Sequence, residues 1–368
     1  MWFIHVFALF PLLAVMRCLF LNRKTLKSNI CPPVSVIIPV YNEERHIAQK
    51  MENILSQDYP HEMLEVIVAS DGSTDTTEKL VRKNRDPRLR LLALSRRGKN
   101  AAIRDAAKTA TGNLLIFTDA DAMWMPRALR KLAEPFADPL VGGVAGDVYY
   151  SGKPTRSKGE RAHWNFDRML RRFLSRAGSV TSATGQIYAV RRSLFEPVPA
   201  GVADDFYISS NVILKGYRLV FEPAALSSHP PADTADELSR KIRMFTIGLR
   251  AVWKQKVLMN PVKYGFYSIQ LITMKILRKL VFIPVTAMSV VSVLNLQKGI
   301  VFRAFSALVC AGIVLAGVGW ILRNTKYSEI RLFAFPLYFA IVNVAGTLGL
   351  AKALFSANGD AWRPRRES

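Results

Sequence analysis

The sequence predicts an α/β domain with a mainly parallel sheet, joined to transmembrane helices at both ends of the chain. Three observations predict it. Short β-branched runs alternate with helical runs from about Pro32 to Met259. Three of the strand runs are followed at once by loops that carry carboxylates. Long apolar runs with almost no charge stand at both ends. Strand–helix alternation forces parallel pairing, and right-handed crossovers gather the loops after the strands at one edge of the sheet. Ligands of such sheets sit at that edge.

The elements follow in order. Residues 2–21 are nearly all apolar, and a helix of that length spans about 30 Å. Their one charge, Arg17, lies near an end, where it can snorkel. Arg23, Lys24 and Lys27 come after the run, the reverse of a secretory signal, so residues 1–22 read as an uncleaved anchor with its C-terminal end in the cytoplasm. Strands are expected at 34–38, 64–69, 89–94 and 114–117, by their β-branched and apolar content. Helices are expected at 43–56, at 74–84 with Ser73 or Thr74 as cap, and at 99–109. Another begins at Met125-Pro126, with proline in a first-turn position. Asp204 and Asp205 open a helix over 206–215. A basic helix at 236–254 suits anionic lipid, and 260–279 reads as an interfacial segment. Uncharged runs at 280–296, 304–322 and 332–351 read as three spans within 280–355, before a basic tail at 356–368.

Composition narrows the class. The chain has 368 residues, half of them hydrophobic, which excludes disorder. Cys18, Cys31 and Cys310 have no C-x-x-C spacing and suit free thiols in a reducing compartment. The net charge of +23 fits either nucleic acid or the cytoplasmic face of an anionic membrane. The apolar runs favour the membrane. A nucleic-acid reading finds Trp164 and Phe166 in the basic stretch 153–176, but leaves Asp71, Asp119, Asp121 and Asp205 without work. A transporter would need acids inside its spans, and these runs carry none. His5, His46, His61, His163 and His229 show no metal spacing.

The loops at the binding edge carry the chemistry. They read Pro39-Val40-Tyr41-Asn42-Glu43-Glu44, Ser70-Asp71-Gly72-Ser73-Thr74-Asp75 and Thr118-Asp119-Ala120-Asp121. Each alone is ordinary turn and cap sequence. Together they gather acids at one edge. Asp119 and Asp121 suit Mg²⁺ or Mn²⁺, which takes one or two carboxylates and completes its shell with water and phosphate oxygens. Such an ion neutralises a diphosphate leaving group as a Lewis acid. Asp71 has no evident cation in its loop and suits a base N–H or a ribose hydroxyl. Lys99, after Arg96-Arg97-Gly98, either reaches phosphate or is solvated surface charge with its neighbours. Asp205 can take a proton from an attacking hydroxyl. Asp204, about 100° away on a helix, cannot share that role. Both also suit a helix first turn.

These loops resemble glycosyltransferase family 2. The resemblance continues in Ala183-Thr184-Gly185-Gln186-Ile187-Tyr188-Ala189-Val190-Arg191-Arg192, in Ala203-Asp204-Asp205-Phe206, and in Gly216-Tyr217-Arg218 with Phe221-Glu222-Pro223-Ala224-Ala225. It covers about Pro32 to Arg250. It implies a GT-A fold over 32–259, a nucleotide-diphosphate sugar donor with a UDP-sugar expected first, and inverting transfer. By position it implies Pro39, Tyr41, Glu43, Asp71, Lys99 and Asp119 as donor-binding, Asp119 and Asp121 as metal ligands, Asp205 as base and Asp204 as its support. Thr184, Gly185, Gln186, Arg240 and Arg243 fall on the acceptor side. The chain is most similar to the membrane-bound branch of hyaluronan and cellulose synthase type, whose Gln-x-x-Arg-Trp motif survives here only as Arg243 in Arg240-Lys241-Ile242-Arg243-Met244. That departure favours short products. The acceptor implied is lipid-linked or a growing saccharide, for surface polysaccharide, with single-sugar transfer to polyprenyl phosphate as the alternative. The implied partners include membrane lipids and exclude nucleic acid. The implied place is the bacterial inner membrane, with the catalytic domain cytoplasmic.

Overall fold

The computed structural model describes residues 2–150, 158–229, 237–325, 327 and 330–355. Its strands are β1 (Val34–Val40), β2 (Leu64–Asp71), β3 (Leu89–Leu94), β4 (Leu114–Phe117), β5 (Met123–Trp124), β6 (Val141–Tyr150), β7 (Tyr188–Arg191) and β8 (Arg218–His229). They form one sheet in the order β3-β2-β1-β4-β7-β6-β8-β5. The first four pair in parallel, as their alternation with helices predicts. The remainder is mixed: β7 is antiparallel to β4 and β6, and β5 to β8, while β6 and β8 are parallel. The reason lies in the register. Tyr188 opposes Phe117, so β7 enters the sheet at the edge where β4 leaves it.

Every residue of β1 is buried, as a β-branched run covered on both faces requires. Its side chains alternate between two apolar layers. Ile37 joins Phe117, Tyr188 and Phe206 on one side, and Val36 and Ile38 join Val68, Trp124 and Leu129 on the other. The helices around the sheet are α1 (Phe10–Leu21), α2 (Ile47–Leu55), α3 (Thr77–Lys83), α4 (Lys99–Thr109), α5 (Ala128–Ala133), α6 (Lys158–Ala177), α7 (Asp204–Leu214) and α8 (Glu237–Lys254). α2 and α3 begin later than their sequences suggest, because the residues before them are occupied in holding two loops together, as described below.

The N-terminal segment packs on the rest of the protein through one face, while Leu12, Leu19 and Phe20 are exposed on it. Phe10 and Ala14 are buried in the apolar layer of Ile37. The Arg17 side chain donates to the Ala177 carbonyl at 3.2 Å and lies over Phe266. The Trp2 indole donates to the Leu277 carbonyl at 3.0 Å. This segment therefore lies along α6 and the helix that follows α8. That next helix is α9 (Phe266–Leu271), which runs on through a π-helical turn to Leu277.

Three more helices close the description: α10 (Phe282–Leu294), α11 (Ile300–Ile321) and α12 (Arg331–Phe355). By length and composition α11 and α12 can each cross a membrane. The segment of α9 and α10 is bent by 58° and adds at most one broken span. The expected interfacial segment and first C-terminal run are thus one bent unit. The last part of α12 docks on α8: the Thr246 hydroxyl donates to Gly349 O at 3.2 Å, and Arg250 to Lys352 O at 3.1 Å. The tail at 356–368 and residues 153–157 of the basic stretch lie outside the described residues.

Candidate active site

The loops after β1 and β2 are knit by their own polar side chains. Asn42 adopts φ +54°, and its Oδ1 accepts from Thr74 N at 2.8 Å. Asn42 N donates to Ser73 Oγ at 3.1 Å, and Glu43 N to Thr77 Oγ1 at 2.8 Å. Glu44 Oε2 accepts from Thr76 N and Thr76 Oγ1 at 3.1 and 2.7 Å. Much of the acidic and hydroxylic content of these loops is therefore structural. Pro39 lies inside β1, opposite Ala69.

Asp71 is not the unpaired acceptor that its own loop suggests. It is 1% exposed, ion-paired to Arg96, and accepts from Arg97 N at 2.7 Å and Gly98 N at 2.9 Å. The cation comes from the loop after β3, beside β2 in the sheet but far along the chain. Gly72 makes the approach possible: its φ is +70°, and a Cβ there would sit 2.9 Å from Arg96 N. The Arg96 guanidinium lies over the Tyr41 ring at 3.5 Å. Asp71 thus holds a flat arginine–tyrosine stack at the loop edge of the sheet.

Lys99 opens α4 and links two carboxylates, with Nζ 2.8 Å from Asp119 Oδ1 and 3.2 Å from Asp204 Oδ2. Burial pushes its pKa down, but Asp119 and Asp204 outweigh burial and raise it. Lys99 is therefore a bridging cation and not solvated surface charge. Gly185 stands against Asp119, where a Cβ would lie 3.2 Å from Oδ2. Glu43, hydrogen-bonded to His46 at 3.0 Å, has its pKa raised chiefly by burial, with Asp121 and Asp119 adding to the rise. Two carboxylates on one loop, with glycine clearing the space beside one of them, fit a divalent cation whose shell is completed by phosphate and water. No group of three metal-ligating side chains occurs among the described residues.

Lys50 was not singled out by its sequence. It is completely buried on the inward face of α2, in line with Ile47, Met51 and Ile54. Its ammonium donates to Thr118 Oγ1 at 2.8 Å and to the Ala122 carbonyl, and lies 4.8 Å from the centre of the Trp124 ring. Thr118 Oγ1 and Trp124 Nε1 both donate to Gln186 O, at 2.9 and 3.0 Å. One buried cation thus closes the loop that carries Asp119 and Asp121 and ties it to the Thr184–Gln186 turn. Burial lowers the Lys50 pKa to about 7, with Asp119 and Asp121 opposing that fall. A lysine inside an apolar helical stripe was the available signal.

Asp205 lies in the first turn of α7, where Oδ1 accepts from Phe206 N at 2.7 Å. Its pKa is raised, first by burial and then by Asp204, while Lys275 and Lys99 oppose the rise. Asp204 faces Lys99 and Asp205 does not share that bond, so the neighbouring acids have separate partners. Among these carboxylates sits Tyr188, fully buried, whose hydroxyl has no hydrogen-bond partner among the described residues. The Thr184 hydroxyl is likewise buried without one. Lys99, Asp119, Gly185, Tyr188, Asp204 and Asp205 are therefore brought together. Arg240 and Arg243 lie on α8, and Arg243 makes no hydrogen bond or ion pair among the described residues.

Residues 35–198 match the model of glycosyl transferase family 2. An N-acetylglucosaminyltransferase of Rhizobium meliloti (strain 1021) is 30% identical over 224 residues, covering 55% of this chain and 52% of the relative. Glycosyltransferase AglE of Haloferax volcanii is 27% identical over 225 residues, covering 58% and 72%. The chain thus spans about half the length of the first of these relatives. Among solved structures, the mannosyltransferase PcManGT from Pyrobaculum calidifontis, in complex with GDP-Man and Mn²⁺, is similar over 95% of both chains, with a TM-score of 0.72 and 25% identity. The sheet and its flanking helices are a GT-A-like fold.

Proposed function

We propose, for a chain that carries a glycosyl transferase family 2 domain, that it moves a sugar from a nucleoside-diphosphate donor to an acceptor presented at a membrane surface, with inversion at the anomeric carbon. The observation that carries this reading is the Lys99 bridge. One ammonium joins Asp119, on the loop suited to metal and diphosphate, to Asp204, the neighbour of the candidate base. Donor and acceptor halves of the reaction thus meet within one side chain's reach.

The Arg96–Tyr41 stack offers a flat face for the donor base. Asp119 and Asp121 would hold Mg²⁺ or Mn²⁺, which when bound supplies charge neutralisation to the leaving diphosphate. Lys99 adds a second positive charge beside that position. Asp205, kept partly protonatable by burial, accepts the proton of the attacking hydroxyl. The hydroxyls of Thr184 and Tyr188, without hydrogen-bond partners among the described residues, supply polar contacts beside it. Support for the donor class comes from PcManGT, solved with GDP-Man and Mn²⁺, which sets a GDP-sugar beside the UDP-sugar expected from sequence. The lipid-linked or saccharide acceptor and a role in surface polysaccharide are what the family resemblance implies, and the apolar helices packed on the domain support an acceptor at a membrane.

The test is turnover of a panel of UDP- and GDP-sugars by membranes containing the protein, with product sizing. We expect Mn²⁺- or Mg²⁺-dependent transfer that Asp205→Asn lowers by at least about 10²-fold, the low end for general base catalysis. Equal products from Asp205→Asn and the parent chain would refute the assignment of the base. Full turnover in chelator would refute the assignment of the metal loop.

A further inference from the structure

We propose that Asn100 is a positioning residue for Asp205: its side-chain amide holds the loop that delivers this carboxylate to the Lys99 bridge. This rests on the reading of the chain as a glycosyltransferase with Asp205 as its base.

The loop runs from Phe195 to Ala203, and its sequence leaves it short of hydrogen bonds of its own. Pro197 and Pro199 have no N–H to give. Gly201 turns the chain at φ +72°, in the left-handed region that glycine reaches at no steric cost. Val198 and Val202 are buried in the apolar layer of Ile37, so the backbone between them is drawn inward. Carbonyls drawn away from water need donors from elsewhere.

One side chain of another element supplies them. The Asn100 amide nitrogen donates to Pro199 O at 2.7 Å and to Val202 O at 3.1 Å. Both amide protons are thus spent on one loop, and they close the turn around Gly201. At the end of the loop Ala203 N donates to Ile247 O of α8 at 3.2 Å. Ala203 caps α7 without a side-chain bond, so the contacts from α4 and α8 set how α7 begins. Asp205 is the second residue of that helix.

Asn100 stands next to Lys99, whose ammonium reaches Asp119 and Asp204. The first turn of α4 therefore grips the start of α7 twice, through the Asp204 carboxylate and through the backbone before it. The same turn is fastened from the other side by Asp71, which accepts from Gly98 N at 2.9 Å. A proton acceptor acts only within hydrogen-bond reach of the attacking hydroxyl. A misplacement of about 1 Å can cost about 10²-fold in rate. Asn100, its donors used up on the loop, serves the reaction by fixing that distance.

The experiment is a double-mutant cycle on the full chain in detergent, reading turnover alongside the binding of GDP and UDP with Mn²⁺. Asn100→Ala should lower kcat at least about tenfold, with the donor KM and the nucleotide affinities within about twofold of the parent. Asn100→Asp keeps the shape without the donors and should lose as much. In the Asp205→Asn background, Asn100→Ala should cost less than about threefold, since a base that is absent cannot be misplaced. Losses that multiply in full put Asn100 on a separate path and overturn the proposal. Parent turnover in either Asn100 variant overturns it as well. Loss of nucleotide binding together with kcat marks a general loosening of the fold and also overturns it. Parent turnover in Asp205→Asn alone removes the base assignment, and this proposal with it. If the parent chain transfers sugar from no UDP or GDP donor, the glycosyltransferase reading itself falls, and this one follows.

Discussion

Lys50 shows how one side chain can matter to a site it never enters. Removing a buried ammonium leaves its acceptors without that donor, which lowers stability and also loosens what those acceptors hold. The two hydrogen bonds from the Lys50 ammonium fix the arc from Thr118 to Ala122, on which Asp119 and Asp121 stand. Hydrogen bonds to charged groups contribute about 1.5–3 kcal/mol each, and 1.4 kcal/mol is tenfold in a binding constant. Lys50→Met is therefore expected to raise the Mn²⁺ concentration for half-maximal turnover about tenfold or more, together with a lowered Tm. A metal titration alongside thermal unfolding checks this, and a collapsed Tm with unchanged metal dependence would mean a purely structural lysine. Asp205 gives a second prediction. Its pKa lies above the ordinary aspartate value of about 3.9, so kcat/KM should fall with acid from a higher pH than a solvated carboxylate would give. Lys275 opposes that rise, so Lys275→Met should move the acid limb to still higher pH. The sign for stability is the reverse of a salt-bridged acid. Between the unfolded and the folded pKa the native state binds more protons, so Asp205 lowers stability as pH rises through that window. Asp205→Asn should therefore raise Tm at neutral pH while activity is lost, and a lowered Tm would contradict the burial argument.

Helix-to-helix contact is set by two glycines of α12. A Cβ at Gly349 would lie 2.6 Å from Phe245 Cβ, and one at Gly346 would lie 3.0 Å from the Lys279 carbonyl. Small residues let backbones approach closely where apolar helices meet. Gly349→Leu is expected to part α12 from α8 and to cut transfer to membrane acceptors by at least tenfold, while donor cleavage in the absence of acceptor changes little. Equal losses in both assays would show a general folding defect. Which elements could be read in advance follows from how local their causes are. β1, β2 and β4 are legible because apolar runs buried on both faces announce themselves. Lys99 was found by its place after β3, yet its partner Asp204 lies far along the chain. The starts of α2 and α3 are not legible, since Asn42 bonds to Ser73 and Thr74, and Glu44 to Thr76, across more than 30 residues and no local rule sees that. The Arg96 partner of Asp71 escaped for the same reason. Lys50 escaped because a charge in an apolar stripe reads as a surface position until its hydrogen bonds are known.

The arrangement of the whole chain across a membrane turns on where α12 ends. An N-terminal anchor with three later spans would leave the tail, with Arg363, Arg365 and Arg366, on the side opposite the catalytic domain. That arrangement runs against the bias of Lys and Arg for one side. The structure offers a different count. The N-terminal segment buries Phe10 and Ala14 in the catalytic core, and the bent pair of α9 and α10 begins on that domain. α11 and α12 remain as a hairpin, with Gly319 near the far end of one packed on Phe333 near the start of the other. Residues 346–352 of α12 then return to α8. A helix that starts at the far turn and finishes against the catalytic domain has its end on that domain's side. The tail should therefore share a side with Arg23, Lys24 and Lys27, which removes the conflict of charge. With Cys18, Cys31 and Cys310 replaced, single cysteines at Lys83, Thr325 and Ser368 can be treated with a membrane-impermeant thiol reagent in sealed vesicles of both orientations. Positions 83 and 368 are expected to label together, and 325, in the hairpin turn, in the opposite vesicles. Labelling of 368 with 325 would restore the odd number of C-terminal spans and would require the contact of Lys352 with Arg250 to be broken in the membrane.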